Sequence, residues 1–270
     1  MLKILFFGDI CGEPGRKVVK KMLPEIVANE QPDLILANVE NLAHGKGVTP
    51  KTLEELINAG MHGFTSGNHI FSKRDLSTQV FAQYGDRVVR PANFPEGYPG
   101  KGAAVIKTKK GDVLIGNFMG NVFMEKQFRD PVASPFALFE KWYQEHKGNY
   151  AASLIDFHAE ATSEKIAFGY FVEGKVSALL GTHTHVPTAD YKLLPGGTAY
   201  ITDVGMCGAD DSVLGVKKEI SIERFTSGQY LPFDIPEDAS AAQLSYVIIE
   251  VDEKTAKATA IRGYHKVVAI

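Results

Sequence analysis

The stretch Leu2-Lys3-Ile4-Leu5-Phe6-Phe7-Gly8-Asp9-Ile10-Cys11-Gly12-Glu13-Pro14-Gly15 decides how the chain folds. Its apolar run, Leu2 to Phe7, reads as a buried strand that stops at Gly8-Asp9. Gly12-Glu13-Pro14-Gly15 then turns the chain into a helix from about Arg16 to Asn29, with apolar residues at Val18, Val19, Met22, Leu23, Ile26 and Val27. A buried strand followed by an amphipathic helix is the repeating unit of an α/β protein. Strand, glycine turn and helix also suggest a dinucleotide loop, but Gly8, Gly12 and Gly15 miss the G-x-G-x-x-G spacing. Asp9 stands where backbone would have to approach a pyrophosphate, and at the carboxyl end of a strand it reads as a functional group, since ligands bind at that edge. Its plainer role would be a turn or helix cap.

The unit recurs. Leu34 to Asn38 reads as a strand ending in Val39-Glu40-Asn41, followed by the glycine-rich Ala43-His44-Gly45-Lys46-Gly47 and a helix capped by Thr49, with Pro50 first, to about Ala59. A short strand, about His62 to Thr65, delivers Ser66-Gly67-Asn68-His69. The Pro/Gly-rich loop Arg90 to Gly100 precedes a hairpin of Ala103 to Thr108 and Val113 to Asn117, and a helix spans Pro135 to His146. The strand Ala152 to Asp156 leads to Phe157-His158-Ala159-Glu160 and a helix capped near Thr162 or Ser163 that ends about Phe171. Val176 to Leu180 is a further buried strand, running into Gly181-Thr182-His183-Thr184-His185. Side chains two apart in extended chain point the same way, so both imidazoles are expected to leave on one side and reach a common metal centre. Thr198 to Thr202 ends in Asp203, and Gln243 to Val251 with Ala258 to Val268 reads as an antiparallel pair. From Met206 to about Ala241 the chain is irregular and mixed in charge, a candidate cap or interface element.

A chain of 270 residues, 44% hydrophobic, buries a sizeable core and fits one α/β domain over 1–270 better than two small ones. A net charge of -3 disfavours extended nucleic-acid binding by charge. Two cysteines, Cys11 and Cys207, exclude a disulfide framework and point to a reducing, cytoplasmic compartment. The N-terminus is too abruptly acidic for a signal peptide, and no apolar run reaches membrane-spanning length.

The polar groups at strand ends carry the function: Asp9, Glu40-Asn41, Asn68-His69, His158, and His183 with His185. Each alone has an alternative in capping or turn chemistry, but the set recurs at successive strand termini. Two carboxylates, two amides and three of the four imidazoles suffice to furnish two metal sites with one carboxylate bridging. Mixed oxygen and nitrogen ligands suit Fe, Mn, Zn or similar divalent ions and poorly suit copper. Two ions about 3.5–4 Å apart would stabilise the charge that develops in phosphoryl transfer.

At these residues the chain resembles the calcineurin-like metallophosphoesterases. Asn38 to Gly47, Arg90 to Gly97 and Asp156 to Lys165 resemble more closely their YmdB-like branch, bacterial cyclic-nucleotide phosphodiesterases. The match covers almost the whole chain to about Gly208. It implies two facing β-sheets flanked by helices, a four-layer αββα sandwich. It also assigns Asp9, Asn41 and His185 to one metal, Asn68, His158 and His183 to the other, Glu40 as the bridge, His69 as general acid and a metal-bridging hydroxide as nucleophile. The implied cofactors are two divalent or transition-metal ions, Fe or Mn ahead of Zn or Mg, and the implied small-molecule partner is a 2',3'- or 3',5'-cyclic nucleotide, hydrolysed to a nucleoside monophosphate. Two departures from the wider superfamily, Cys11 where a His is usual and Glu40 where an Asp is usual, fit the YmdB-like branch. Cys11 is either a thiolate ligand or small buried packing.

Other readings stay open: a phosphomonoesterase such as a nucleotidase on the same metals, or a slow nucleotide-sensing regulator with a protein partner. The sequence specifies neither a homo-oligomer nor that partner. His44 is a candidate substrate contact, Lys46 and Arg90 are candidate phosphate attractors, and Asp203 could orient a ligand histidine or cap a turn. Phe94, Tyr98 and Phe157 could stack on a base. His62, His146 and His265 lack ligand motifs and read as structural.

Overall fold

The computed structural model describes residues 1–124, 128 and 130–270. The first half runs β1 (Leu2–Ile10), α1 (Gly12–Glu30), β2 (Leu34–Asn38), α2 (Pro50–Asn58), β3 (Gly63–Thr65), α3 (Arg74–Tyr84), β4 (Ala103–Thr108) and β5 (Gly111–Met119). The second runs α4 (Pro135–His146), β6 (Ala152–His158), α5 (Thr162–Val172), β7 (Ala178–Thr182), β8 (Lys192–Leu193), β9 (Ala199–Ile201), β10 (Met206–Ala209), α6 (Lys218–Ser227), β11 (Ala241–Asp252) and β12 (Lys257–Ala269). They form two six-stranded sheets, ordered β12-β11-β10-β1-β2-β3 and β4-β5-β6-β7-β9-β8. Their centres are parallel, β10, β1, β2 and β3 in one and β5, β6, β7 and β9 in the other, with antiparallel strands at the margins.

The strands are apolar on both faces because each face meets a different layer. Leu2, Ile4, Phe6, Leu34 and Leu36 of the first sheet pack between the sheets against Val113, Ile115, Leu154 and Leu180 of the second. The alternate residues, Leu5, Phe7, Ile35 and Ala37, pack outward on Val18, Val19, Leu53, Leu56 and Val80 of α1 to α3. On the other side Leu114, Ile155, Phe157 and Leu179 meet Phe139, Trp142, Phe168 and Val172 of α4 and α5. The layers are thus helix, sheet, sheet, helix, as the resemblance implied. Truncating a fully buried ring such as Phe6, 1% exposed, would cost about 3–5 kcal/mol.

Several boundaries differ from the sequence reading. Helix α1 starts at Gly12, not Arg16, because Pro14 sits in its first turn, where a missing N–H removes no helical bond. Thr49 caps α2 as expected, in a reciprocal capping box with Thr52. Helix α5 is preceded by Ala161 and has no side-chain cap at all, so neither Thr162 nor Ser163 caps it. Helix α3 carries no legible signal, since Lys73 provides no cap bond and only Ser77, Val80 and Phe81 are buried. The stretch read as irregular contains β10, seated between β1 and β11, and α6. No helix among the described residues is long and apolar enough to cross a membrane.

Candidate metal centre

The parallel strands of both sheets deliver their carboxyl ends to one place. Asp9 lies near the end of β1, Glu40 and Asn41 follow β2, and Asn68 and His69 follow β3. From the facing sheet come His158, the last residue of β6, and His183 and His185 just beyond β7. Asp9, Glu40 and His158 are fully buried, while Asn41 and Asn68 are 3% and 4% exposed. Gly67 makes the approach feasible, because a Cβ there would stand 2.3 Å from the His158 ring and 2.4 Å from Glu40 Oε2.

Hydrogen bonds fix the histidine tautomers. His158 Nδ1 lies 2.8 Å from Thr182 Oγ1, and that hydroxyl donates to Asp156 Oδ1 at 2.6 Å, so Nδ1 carries the proton. Asp156 is a full acceptor, taking Asn38 Nδ2 at 2.8 Å and the Thr65 hydroxyl on its other oxygen. His183 turns Nε2 to Glu160 Oε2 at 3.0 Å, and His185 turns Nδ1 to the Leu214 carbonyl at 3.0 Å. Each ring gives its outer N–H to an oxygen and directs an inner lone pair into the site, the arrangement by which protein imidazoles ligate metals. His69 is held the opposite way. Its Nδ1 faces two acceptors, Asn41 Oδ1 at 3.0 Å and Glu40 Oε1 at 3.3 Å, and therefore carries a proton inward.

The inner atoms fit a cation. His158 Nε2 lies 3.0 Å from His183 Nδ1, 3.0 Å from Asn68 Oδ1 and 3.2 Å from Glu40 Oε1. Glu40, His158 and His183 each offer a ligand atom within 4.8 Å of the others. Such lone pairs repel unless a positive charge lies among them. A proton is one such charge: burial alone pulls His158 down, yet Glu40, Asp9 and Asp156 together raise it to about 9. Burial likewise opposes ionisation of Glu40, but His158 and His69 hold it well below the usual range. On the other side, Asp9 Oδ1 is buried without a hydrogen-bond partner, 3.8 Å from His185 Nε2. Burial pushes Asp9 up to about 6, against the pull of His185 and His158. Asn41 turns Nδ2, not its oxygen, toward His185 Nε2 at 3.2 Å, so oxygen ligation there would need the amide to turn over.

The His-x-His reading needs correction. β7 ends at Thr182, and His183 and His185 have φ of 98° and 65°, so the segment is not extended and the rings diverge toward His158 and toward Asp9. A non-glycine residue at such φ is strained and is kept there by its surroundings. Thr184 is the clamp: its N–H and hydroxyl both donate to Asp203 Oδ2, at 3.0 and 2.8 Å, and Lys165 Nζ meets the same oxygen at 2.7 Å. Asp203 therefore positions the loop through Thr184, not by touching an imidazole. The sequence reading also passed over Thr182, Asp156 and Glu160. A polar residue inside an apolar strand, as at Asp156 and Thr182, is the signal that marks such groups.

A cleft of about 1160 Å³ opens over these residues, lined by Glu40, Asn41, His69, His183 and His185 on one side and by α6 and the chain after it on the other. His44 lines it too, exposed, at a φ of 54° and paired with Glu237. Cys11 lies 3.9 Å from the His185 ring, and burial raises its thiol well above the usual range. Cys207 is buried as well and bonds the Ser245 carbonyl. Phe94 and Tyr98 belong to an aromatic cluster with Phe71 and Phe128, and Phe157 stacks on Phe168, so none of the three lines the cleft. Lys46 does line it, whereas Arg90 is half-buried elsewhere, bonded to the Pro91 carbonyl. His62, His146 and His265 bond the Ile35 amide, the Trp142 carbonyl and the Ser245 hydroxyl, away from the site.

The family model described as YmdB-like protein matches residues 5–263. The 2',3'-cyclic-nucleotide 2'-phosphodiesterase of Bacillus subtilis (strain 168) is 42% identical over 260 residues, 96% of this chain and 95% of that one. A crystal structure of a novel phosphatase from Mycoplasma pneumoniae superposes with a TM-score of 0.90 at 36% identity, covering 98% of this chain and 93% of that one. A putative 5'-nucleotidase from Staphylococcus aureus, 11% identical, shares the fold at a TM-score of 0.60 over 99% of this chain and 54% of its own. With that fold, and with a strand-end site whose donors suit divalent ions, the chain belongs to the YmdB-like protein family and is a metallophosphoesterase hydrolase.

Proposed function

We propose that the protein is a dinuclear metal-dependent phosphodiesterase that opens cyclic nucleotides, 2',3'- or 3',5'-linked, to nucleoside monophosphates. The observation that carries this reading is the inward aim of the three imidazole lone pairs and of the unpartnered Asp9 Oδ1 beside a cleft wide enough for a nucleotide. Asp9, Asn41 and His185 would hold one ion and Asn68, His158 and His183 the other, with Glu40 between them. Bound there, the ions would supply Lewis-acid charge and a nucleophilic hydroxide at neutral pH. The Bacillus subtilis relative's name supports a cyclic-nucleotide substrate.

The chain's own residues then account for orientation and proton transfer. Glu40 accepts the His69 backbone N–H at 2.8 Å, which fixes its carboxylate. His69, with Nδ1–H held by Glu40 Oε1, keeps Nε2 to exchange a proton with the cleft once the Asn41 amide turns its oxygen to the ion. Attack at phosphorus forms one P–O bond and breaks another, and the departing ribose oxygen takes its proton from His69. Substrate needs no second leaving molecule, since ring opening keeps both oxygens on one product. Steady-state turnover of metal-loaded protein on 2',3'- and 3',5'-cyclic nucleotides, linear diesters and nucleoside monophosphates tests the reading. Cyclic nucleotides should be preferred; preference for monophosphates would replace it with a phosphatase, and single-turnover behaviour with a sensor.

A further inference from the structure

The wall of the cleft opposite the candidate metal centre is built from the segment that follows β10. Helix α6 buries only Ser221, and Phe225 and Tyr230 are 89% and 82% exposed while lining the cleft. Large rings left in water usually mark a binding surface. Here they are interleaved with cations: the Arg224 guanidinium lies 4.0 Å from the Phe233 ring centre and 5.2 Å from that of Tyr230, and Lys46 Nζ lies 5.3 Å from that of Phe233. The wall is seated at its far end, where Ile235 packs so closely on Gly45 that a Cβ there would stand 2.4 Å from it. The aromatic residues that the sequence suggested for base stacking are all in packed clusters elsewhere.

We infer that Phe225 and Tyr230 are specificity-determining residues that stack on the base of a nucleotide whose phosphate lies at the strand-end site, with Arg224 and Lys46 adding cationic attraction. The inference rests on the phosphodiesterase reading above and adds to it the part of the substrate that is not reacting. A flat base presents a π-face that aromatic side chains and guanidinium groups recognise without regard to its identity. An aromatic wall that carries Arg224 and Lys46, facing a floor that would bind phosphate through its ions, is complementary to a molecule with an anionic phosphate and a neutral ring at opposite ends. The rings therefore select nucleotides over small cyclic phosphates, and they do so mainly through binding.

The test compares 2',3'-cyclic AMP with glycerol 1,2-cyclic phosphate, a five-membered cyclic diester without a base, on metal-loaded Phe225→Ala and Tyr230→Ala proteins. Each substitution should lower kcat/KM on the nucleotide by roughly 5- to 150-fold, the range of a lost base–aromatic stack, through KM. Glycerol 1,2-cyclic phosphate should lose far less, and Phe225→Trp should restore the discrimination. Equal losses on both substrates, or no loss on the nucleotide, would overturn the inference. Calorimetric binding of AMP and of inorganic phosphate separates this idea from the phosphodiesterase reading. If the wild type hydrolyses no cyclic nucleotide, yet the two Ala variants weaken AMP and spare phosphate, the base wall stands and the activity assignment falls. If cyclic nucleotides turn over normally in the variants, the assignment stands and the base wall falls.

Discussion

The two sides of the cleft are built differently. On the strand-end side Asp9, Glu40, Asn68 and His158 are 0–4% exposed, and each histidine that aims inward has its outer nitrogen tied to an oxygen. On the α6 side one helical residue is buried, and rings and cations stand in solvent. A site that must place charge to within fractions of an ångström needs packed, hydrogen-bonded support, whereas a surface that accepts a flat ring needs area and little else. The difference teaches that the proposed reaction site and the proposed base-selecting wall are separately built, so they should be separable by substitution.

The largest effect is expected at Glu40. Glu40→Gln removes the negative charge that faces His158 and His69 and should depress hydrolysis beyond the roughly 10²–10³-fold typical of losing one electrostatic contact, with the fold retained by circular dichroism. An active variant with two ions bound would remove Glu40 from the centre. Next comes His69→Ala, which should keep both ions yet lose about 10²–10⁴-fold on substrates with alkoxide leaving groups, and much less on bis(p-nitrophenyl) phosphate. Equal losses together with loss of an ion would make His69 a ligand, against the direction of its Nδ1–H.

A third expectation concerns the support beneath the site. Thr182→Val removes the hydroxyl between His158 Nδ1 and Asp156 and should weaken metal affinity or activity about 10–100-fold, measured by titration of chelated protein. Smallest of all, Phe225→Ala should change unfolding free energy by less than about 0.5 kcal/mol in urea, as for most surface positions. A much larger loss there would mean that the wall is a structural layer and that the contrast between the two sides is wrong.

Proton competition sharpens the same contrast. Burial raises Asp9 from 3.8 to about 6, and likewise Asp156, so folding stability falls as pH rises across that window and both carboxyls must ionise in a buried site. His158, raised from 6.5 to about 9, contributes stability that is complete below 6.5 and lost as pH rises through 9. Glu40, lowered from 4.5, contributes in the opposite sense, but fully so already above that value. His183, lowered by burial, acts in the opposite sense below 6.5, so chelated protein should show a melting temperature that falls between about pH 6.5 and 9, and metal-loaded protein a smaller fall, because ions would take the place of protons. A flat or rising profile for chelated protein would contradict this electrostatic account of the strand-end side.

How far all this was legible from the sequence follows the same division. Strands such as Leu2–Ile10 and Leu34–Asn38 announce themselves because two packed faces demand an unbroken apolar run, and the polar residues that end them stand out against it. Helices α3 and α6 do not, because burial of Ser77, Val80 and Phe81, or of Ser221 alone, leaves too thin a stripe to read. The divergence of His183 from His185 was invisible as well. It depends on Asp203 and Lys165, distant in sequence, forcing the loop into left-handed backbone. Where Phe94, Tyr98 and Phe157 point is likewise settled only by the packing around them.

The claim on which the rest depends is that two ions occupy the strand-end site. Anomalous scattering from a crystal of metal-replete protein tests it most directly. Two peaks are expected, one in contact with Asp9, Asn41 and His185, the other with Asn68, His158 and His183, and with Glu40 touching both. A single peak at Glu40, His158 and His183, with Asp9 and His185 bonded only to protein, would contradict it.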